Sequence, residues 1–503
     1  MENQTEQISP ALLQFVSDGT PDSIISRYAS LPSRAAEADF GELDTDIVVL
    51  DTETTGFSFN HDELTQIAAA RMERGEITEW FITFVNPGKP IPEDVAHLTN
   101  IHDEDVADAP LPEEALASLV EFVGSSKIVA HNVGFDRTFT TRHPSGYPLL
   151  ENSLDLARIA LPRLNSHRLI DIVKAFDAPL STHRADADVA ATCAAFRILL
   201  AAVEAMPSEL VSNIAGMATR EQWQTRVVFE YFGSRNKEAG DKESDAGESS
   251  SAKERSFSLR SMRWNRLGAG KEQRTASKSE EAEESVPLSV PSSEEISEAF
   301  SSEGLVGSLY PSFETRKEQV QMAQAIRDAF DEGDNLVVEA GTGVGKSMAY
   351  LVPSALTALR SNATVGIATK TNALLDQLVY RELPDLSQAL CESGLGRELV
   401  YASLKGFSHY PCLRKVDRLA QEGPREREVQ GELKTQAPAL AALLSYIEQT
   451  DYADMDTLKI DYRLLPRVAI TTTSHDCLRR KCPYFGSSCF VHGARRRAEN
   501  ADI

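Results

Sequence analysis

An uninterrupted apolar run, IVVL at 47–50, is followed at once by DTETTGF at 51–57. A run of that length and kind reads as a strand buried on both faces, and it delivers two acids, Asp51 and Glu53, at its end. Side chains two apart on a strand share a face, so both carboxylates enter one small space. Like charges at that distance raise each other's pKa unless a cation lies between them. A hard divalent ion, Mg²⁺ or Mn²⁺, is the simplest neutraliser because it takes oxygen ligands. Taken alone, the pair fits a solvated acidic turn equally well. The stretch up to residue 205 decides between the two.

The chain of 503 residues exceeds what a single core supports. No run of eighteen apolar residues occurs, and the opening MENQTEQISP lacks the basic and apolar regions of a secretory signal. Six cysteines in so long a chain are too few for a disulfide scaffold. The expectation is a cytoplasmic protein without a membrane partner. A net charge of −25 argues against general wrapping of a polyanion. It leaves room for local basic tracks and for metal ions that bridge acids to phosphates.

Residues 1–44 read as a loosely docked N-terminal arm. From there the pattern is strand at 47–52, 65–72 and 79–85, helix at 113–123, strand at 127–131 and helix at 133–142. Further helices follow at 166–176 and 184–203. This order implies an α/β mixed sheet covered on both faces. KIVAHNVGFD at 127–136 places a third carboxylate, Asp136, on the helix entered from a strand. HRADAD at 183–188 opens an Ala-rich helix. Residues five apart on a helix point about 140° from each other, so His183 is expected in the preceding loop, swinging back over a metal held by Asp188.

DTETTGF, LTNI at 98–101, HNVGFD and HRADAD, in this order, resemble the motifs of the DnaQ-like, DEDDh-type 3′→5′ exonucleases. The resemblance covers roughly residues 45–205. It implies a ribonuclease H-like fold, two metal ions held by Asp51, Glu53, Asp136 and Asp188, and His183 as general base. Two ions clamp the attacking and leaving oxygens of a phosphodiester in line, and an imidazole titrates near neutrality. Leu98 of LTNI, and Phe57, are candidates to wedge against a terminal base, where a stacked aromatic contributes about 1–3 kcal/mol. Phe57 fits a core aromatic equally well.

Residues 206–233 read as a helical extension. From 234 to 302 the chain is rich in Ser, Glu and Lys, with too few large apolar residues to offset the entropy of ordering. It is expected to be a flexible linker, with SLRSMRWNRL at 258–267 a less polar patch or a short docking peptide for a protein partner. The remainder, 303–503, opens with a helix pattern at 314–326, an expected strand at 335–339 and then AGTGVGKS at 340–347. Strand, glycine-rich turn, Lys-Ser and helix is the P-loop arrangement. Ala340, Gly341, Thr342, Gly343, Val344 and Gly345 would bring backbone N–H groups round the phosphates of ATP. Lys346 would reach the β/γ oxygens and Ser347 would ligate Mg²⁺. TVGIATKTNALLDQL at 364–378 reads as another strand running into a helix.

Cys412, Cys477, Cys482 and Cys489 suggest a tetrathiolate site for an iron–sulfur cluster or zinc. Cys193 and Cys391 read as single thiols. The basic runs LRRK at 478–481 and ARRR at 494–497 fit either strand contacts or solvated surface. These features together resemble the iron–sulfur helicases of the DinG/XPD type in superfamily 2, over residues 310–503. The resemblance implies a partial RecA-like domain, a [4Fe–4S] cluster on the four cysteines, and adenine recognition by Arg316 and Gln319. It also implies an acidic motif and a second motor domain that these residues do not contain. The expectation is weak nucleotide binding at best and no unwinding by this chain alone. The sequence reading is therefore a metal-dependent exonuclease acting on a single-stranded DNA 3′ end, fused to the front part of a helicase, in DNA repair or replication. An RNA exonuclease, or a non-catalytic adaptor for nucleic acid and nucleotide, are the alternatives.

Overall fold

The run at 47–50 forms the middle of a sheet. In the computed structural model the strands are β1 (Ile47–Thr54), β2 (Leu64–Glu73), β3 (Glu76–Phe84), β4 (Lys127–Ala130) and β5 (Glu151–Asn152), in the order β3-β2-β1-β4-β5. β1 runs antiparallel to β2 and parallel to β4, β3 is antiparallel to β2, and β5 is parallel to β4. Residues 47–50 are buried on both faces, the pattern a central strand requires. Arg74 and Gly75 join β2 to β3 with φ of 53° and 86°, the positive values a two-residue hairpin turn needs. The structure describes residues 8–141, 151–181, 184–219, 222–244, 258–262, 288–310, 312–394, 397–429, 431–486 and 488–503.

Helices in this region are α1 (Pro10–Phe15), α2 (Asp22–Ala29), α3 (Leu31–Glu37), α4 (Glu93–Thr99), α5 (Asp103–Val106), α6 (Pro112–Val123), α7 (Val133–Thr140), α8 (Ser153–Ala160), α9 (Leu169–Ala175) and α10 (Ala185–Glu204). Leu116, Leu119 and Val123 of α6, with Phe139 of α7, pack on Val48, Leu50 and Ile67 on one face of the sheet. α10 packs against β1 and β2. Among the described residues no single helix is long and apolar enough to cross a membrane.

The chain divides into two compact units, Met1–Arg266 with Pro411–Thr472, and Leu267–Tyr410 with Thr473–Ile503. Three expected boundaries change as a result. First, residues 8–44 are not a loose arm. Leu12, Ile24, Tyr28, Leu31 and Phe40 are buried, and Arg197 of α10 fastens the segment. Its Nη2 donates to the carbonyls of Ala35 at 2.6 Å and Ala38 at 2.9 Å, its Nε donates to Ala35 at 3.1 Å, and it pairs with buried Asp44. Second, residues 411–472 belong to the first unit. The helix Ala437–Glu448 is buried along its length. Arg27 pairs with Glu448 at 3.0 Å, Tyr28 Oη donates to Gln449 Oε1 at 2.6 Å, and Gln449 Nε2 donates to the Ala160 carbonyl at 3.1 Å. Polar side chains widely separated in sequence made these contacts invisible to local patterning.

Third, the expected linker ends early. Ser293–Ala299 is a helix with a capping box between Ser292 and Glu295, and Ile296 and Phe300 enter the core of the second unit. Leu259, in the less polar patch, is fully buried. The helix expected at 314–326 is Lys317–Glu332. The strand expected at 335–339 and the one expected to open 364–378 do not form. Val337 is 97% exposed, because a run with no strand bonded beside it has nothing to bury its faces. Val365 N–H donates to the Asp502 carbonyl at 2.8 Å and Ala402 N–H to that of Ile503 at 3.0 Å, too few bonds for a ladder.

Arg197→Ala leaves Asp44 buried without its cation, and the expected loss is about 3–5 kcal/mol of first-unit stability. Arg197→Lys should recover only part of it, since one ammonium cannot reproduce the forked contacts to two carbonyls and a carboxylate. Urea unfolding followed by circular dichroism measures both. A loss below about 1 kcal/mol for the alanine variant would contradict the anchoring role.

Candidate active site

Three elements bring the acids together. Asp51 and Glu53 leave β1 on one face, opposite Ala68 and Gln66 of β2. Parallel pairing of β1 with β4 carries the chain to the same end of the sheet, where α7 begins and places buried Asp136 in its first turn. α10 begins at Ala185 and places buried Asp188 in its first turn. Carboxylate oxygens of Asp51, Glu53 and Asp188 lie within 4.8 Å of one another. Asp136 stands close enough to act on both Asp51 and Glu53.

Electrostatics follow from the crowding. Burial, then the charges of Asp136, Glu53 and Asp188, hold the Asp51 carboxyl well above its usual range. Burial, then Asp188 and Asp136, push Glu53 up to about 8. Burial also raises Asp136, to about 6, against a hydrogen bond from Thr52 Oγ1 to its Oδ1 at 2.8 Å. Crowded oxygen donors that burial and mutual repulsion keep protonated fit a divalent cation, which would replace those protons.

His183 lies outside the described residues, and so does any account of its ring. His131, at the end of the KIVAH run, is structural. Its Nε2–H donates to the His167 carbonyl at 2.9 Å, its Nδ1 accepts from Ser153 Oγ at 2.9 Å, and burial lowers its pKa to about 4. Leu98, on α4, is 52% exposed, and Phe57 is 87% exposed. That removes the core reading of Phe57. Its ring stands edge-on to Phe135 of α7 at 6.1 Å, and Phe135 in turn lies 5.1 Å from Phe139.

Sequence reasoning passed over Gln66. Its Oε1 accepts the Ala185 backbone N–H at 3.2 Å, tying β2 to the first turn of the helix that holds Asp188. An amide inside the buried run LTQIAAA was the available signal, since a buried amide requires a partner. In the second unit, residues 340–347 form a glycine turn leading into the helix Lys346–Ser361. Gly343 and Gly345 both have φ of 83°, and Lys346 Nζ donates to the carbonyls of Ala340 at 3.0 Å and Gly341 at 3.2 Å. Arg316 bonds to the Gly343 carbonyl and Gln319 Nε2 donates to that of Gly345 at 2.8 Å. These two side chains thus brace the turn.

Cys412 belongs to the first unit and Cys477, Cys482 and Cys489 to the second. Among the described residues, the latter three do not form a group with sulfurs within 4.8 Å of one another. Cys477 Sγ has His492 Nε2 3.6 Å away, a neighbour the spacing argument did not consider.

Residues 48–196 match the family model described as Exonuclease, and they form an exonuclease domain. The chain is 28% identical over 392 residues to a Bacillus subtilis protein named 3′-5′ exonuclease DinG, covering 75% of this chain and 38% of that protein. It is 38% identical over 212 residues to an Escherichia coli protein named ATP-dependent DNA helicase YoaA, covering 41% of this chain and 30% of that one. The chain thus spans well under half the length of these relatives. Among solved structures, exonuclease X in complex with 5′ overhanging duplex DNA is 23% identical, covers 36% of this chain and 99% of its own, and has a TM-score of 0.27.

The crowded acids have a measurable cost to the metal-free fold. Glu53 is raised to about 8, while an unfolded Glu titrates near 4.3. Between those values the folded state keeps a proton that the unfolded state has lost, so stability falls as pH rises through the window. In chelator at pH 8.5, Glu53→Gln is expected to melt a few degrees above the parent, on the order of 2 kcal/mol. The gap should close by pH 5, and Mn²⁺ should reverse it. An equal melting temperature at pH 8.5 and pH 5 would refute the crowding.

Proposed function

We propose that the first unit is a two-metal-ion 3′→5′ exonuclease that shortens single-stranded DNA from its 3′ end. The observation that carries this reading is the convergence of Asp51, Glu53, Asp136 and Asp188 from three separate elements. The name of the Bacillus subtilis relative supports it. The four carboxylates would hold Mg²⁺ or Mn²⁺, which would supply a nucleophilic water at neutral pH and charge stabilisation at the leaving 3′ oxygen. His183 would accept the proton of the attacking water. Leu98 and Phe57, both exposed, bracket the terminal base, Phe57 from beside Phe135 of α7.

Digestion of a 3′-labelled single strand with Mn²⁺ tests this directly. Asp51→Ala with Glu53→Ala should lower the rate by at least about a thousandfold, and equal digestion by both proteins would end the proposal. Matched DNA and RNA strands in competition decide the sugar, because 2′-OH discrimination depends on pocket shape. A protein that takes up no Mn²⁺ in calorimetry would instead be an adaptor.

For the second unit the proposal is ATP binding at residues 340–347, with Arg316 and Gln319 at the adenine, and the [4Fe–4S] cluster that the sequence resemblance implies. The glycine turn opening into a helix N-terminus supports the first. The resemblance of residues 310–503 to the iron–sulfur helicases supports the second. A role in DNA repair or replication in the cytoplasm completes the reading. One anaerobic preparation tests both: Lys346→Ala should weaken nucleotide binding at least about tenfold, and Cys477→Ser should abolish a visible absorption band. Stoichiometric zinc without iron would overturn the cluster.

A further inference from the structure

Residues 55–63 join β1 to β2 and hold two acids outside the carboxylate cluster, Asp62 and Glu63, of which Asp62 organises the loop. Its Oδ1 accepts from Thr55 Oγ1 at 3.1 Å and lies 3.3 Å from Lys89 Nζ, and its Oδ2 accepts the Ser58 backbone N–H at 2.7 Å. Asp62's own N–H donates to the Ser58 carbonyl at 2.7 Å, and Lys89 Nζ also bonds to the His61 carbonyl. A Cβ on Gly56 would stand 2.6 Å from Asp62 Oδ2, so a glycine there is what admits the carboxylate. The two residues that flank Phe57, Gly56 and Ser58, are thus both set by one side chain.

Phe57 itself lies 87% exposed with the edge of the Phe135 ring beside it. An exposed ring on a loose loop contributes little to affinity. Ordering residues 55–58 at the moment of binding would cost more entropy than one stacked ring returns.

We propose that Asp62 is a positioning residue: it locks the loop so that the Phe57 ring is presented, already ordered, to the terminal base of the strand. This rests on the exonuclease reading. Phe135 precedes Asp136 in sequence, so the ring's backing and a metal ligand share one turn of α7. The lock therefore registers the base against the scissile phosphate.

The test uses the full chain with Mn²⁺ and a 3′-labelled single strand. Asp62→Ala and Phe57→Ala should each raise KM about tenfold with kcat within about twofold, and the double variant should be no worse than either. Gly56→Ala, which displaces the carboxylate, should reproduce Asp62→Ala. Chymotrypsin should cut after Phe57 or Phe59 faster in Asp62→Ala than in the parent, a readout independent of nuclease activity. Additive losses, an unchanged KM, or a fall in Mn²⁺ affinity would overturn the assignment. A parent chain inert towards the strand but unchanged in chymotrypsin resistance would overturn the exonuclease reading, and the role of the ring with it.

Discussion

Four carboxylates gathered into one crowded space, where they repel one another, are the constraint the first unit is built around. Left to solvent they would separate, and in a single strand or helix they could not meet. The fold prevents separation by anchoring each acid to a different rigid element. β1 fixes Asp51 and Glu53, α7 fixes Asp136, and α10 fixes Asp188. Parallel pairing of β1 with β4 matters here, because it delivers α7 to the same end of the sheet as the β1 acids. Gln66 does the equivalent for α10 through one backbone hydrogen bond.

Holding α10 against its repulsive neighbours calls for purchase at its far end as well. Arg197 supplies it, nine residues beyond Asp188, by gripping the Ala35 and Ala38 carbonyls and Asp44. Its guanidinium also lies 5.1 Å from the Phe40 ring, a contact that adds to packing as well as charge. Arg163 is a second buried guanidinium of this kind, with Nε on Thr20 at 3.0 Å and its fork 5.3 Å from the Tyr446 ring. Both arginines lock segments distant in sequence onto the sheet-and-helix core. Neither touches the acids. Their effect on the site is mechanical.

Local chemistry was legible in the sequence, and long-range tethering was not. The strands at 47–54, 64–73 and 76–84 differ from expectation by a few residues at their ends, because apolar runs and turn residues carry that information. Carboxylate oxygens of Asp51, Glu53 and Asp188, acids that the strand and helix patterns made visible, lie within 4.8 Å of one another. The N-terminal helices were read as loose because the residues that hold them, Arg197 and Asp44, are 153 positions apart. The strand expected at 335–339 and the one expected to open 364–378 failed for the converse reason. A strand is a relation between neighbours, and an apolar run such as LVV at 336–338 specifies a strand only where another strand bonds to it. The glycine turn that follows needed no such partner and is present.

The first unit is discontinuous: it closes on residues 411–472, after the chain has passed through the whole of 267–410. A ribosome emitting roughly 5–20 residues per second needs about 10–40 s to travel from 266 to 472. For that interval Tyr28 and the Ala160 carbonyl lack Gln449, and the surface later covered by Ala437–Glu448 is bare. Nascent chains therefore pass through a stage in which the sheet and its acids exist while an apolar seam stays open. That stage is the one a holdase would recognise, and slow codons between 267 and 410 would lengthen it.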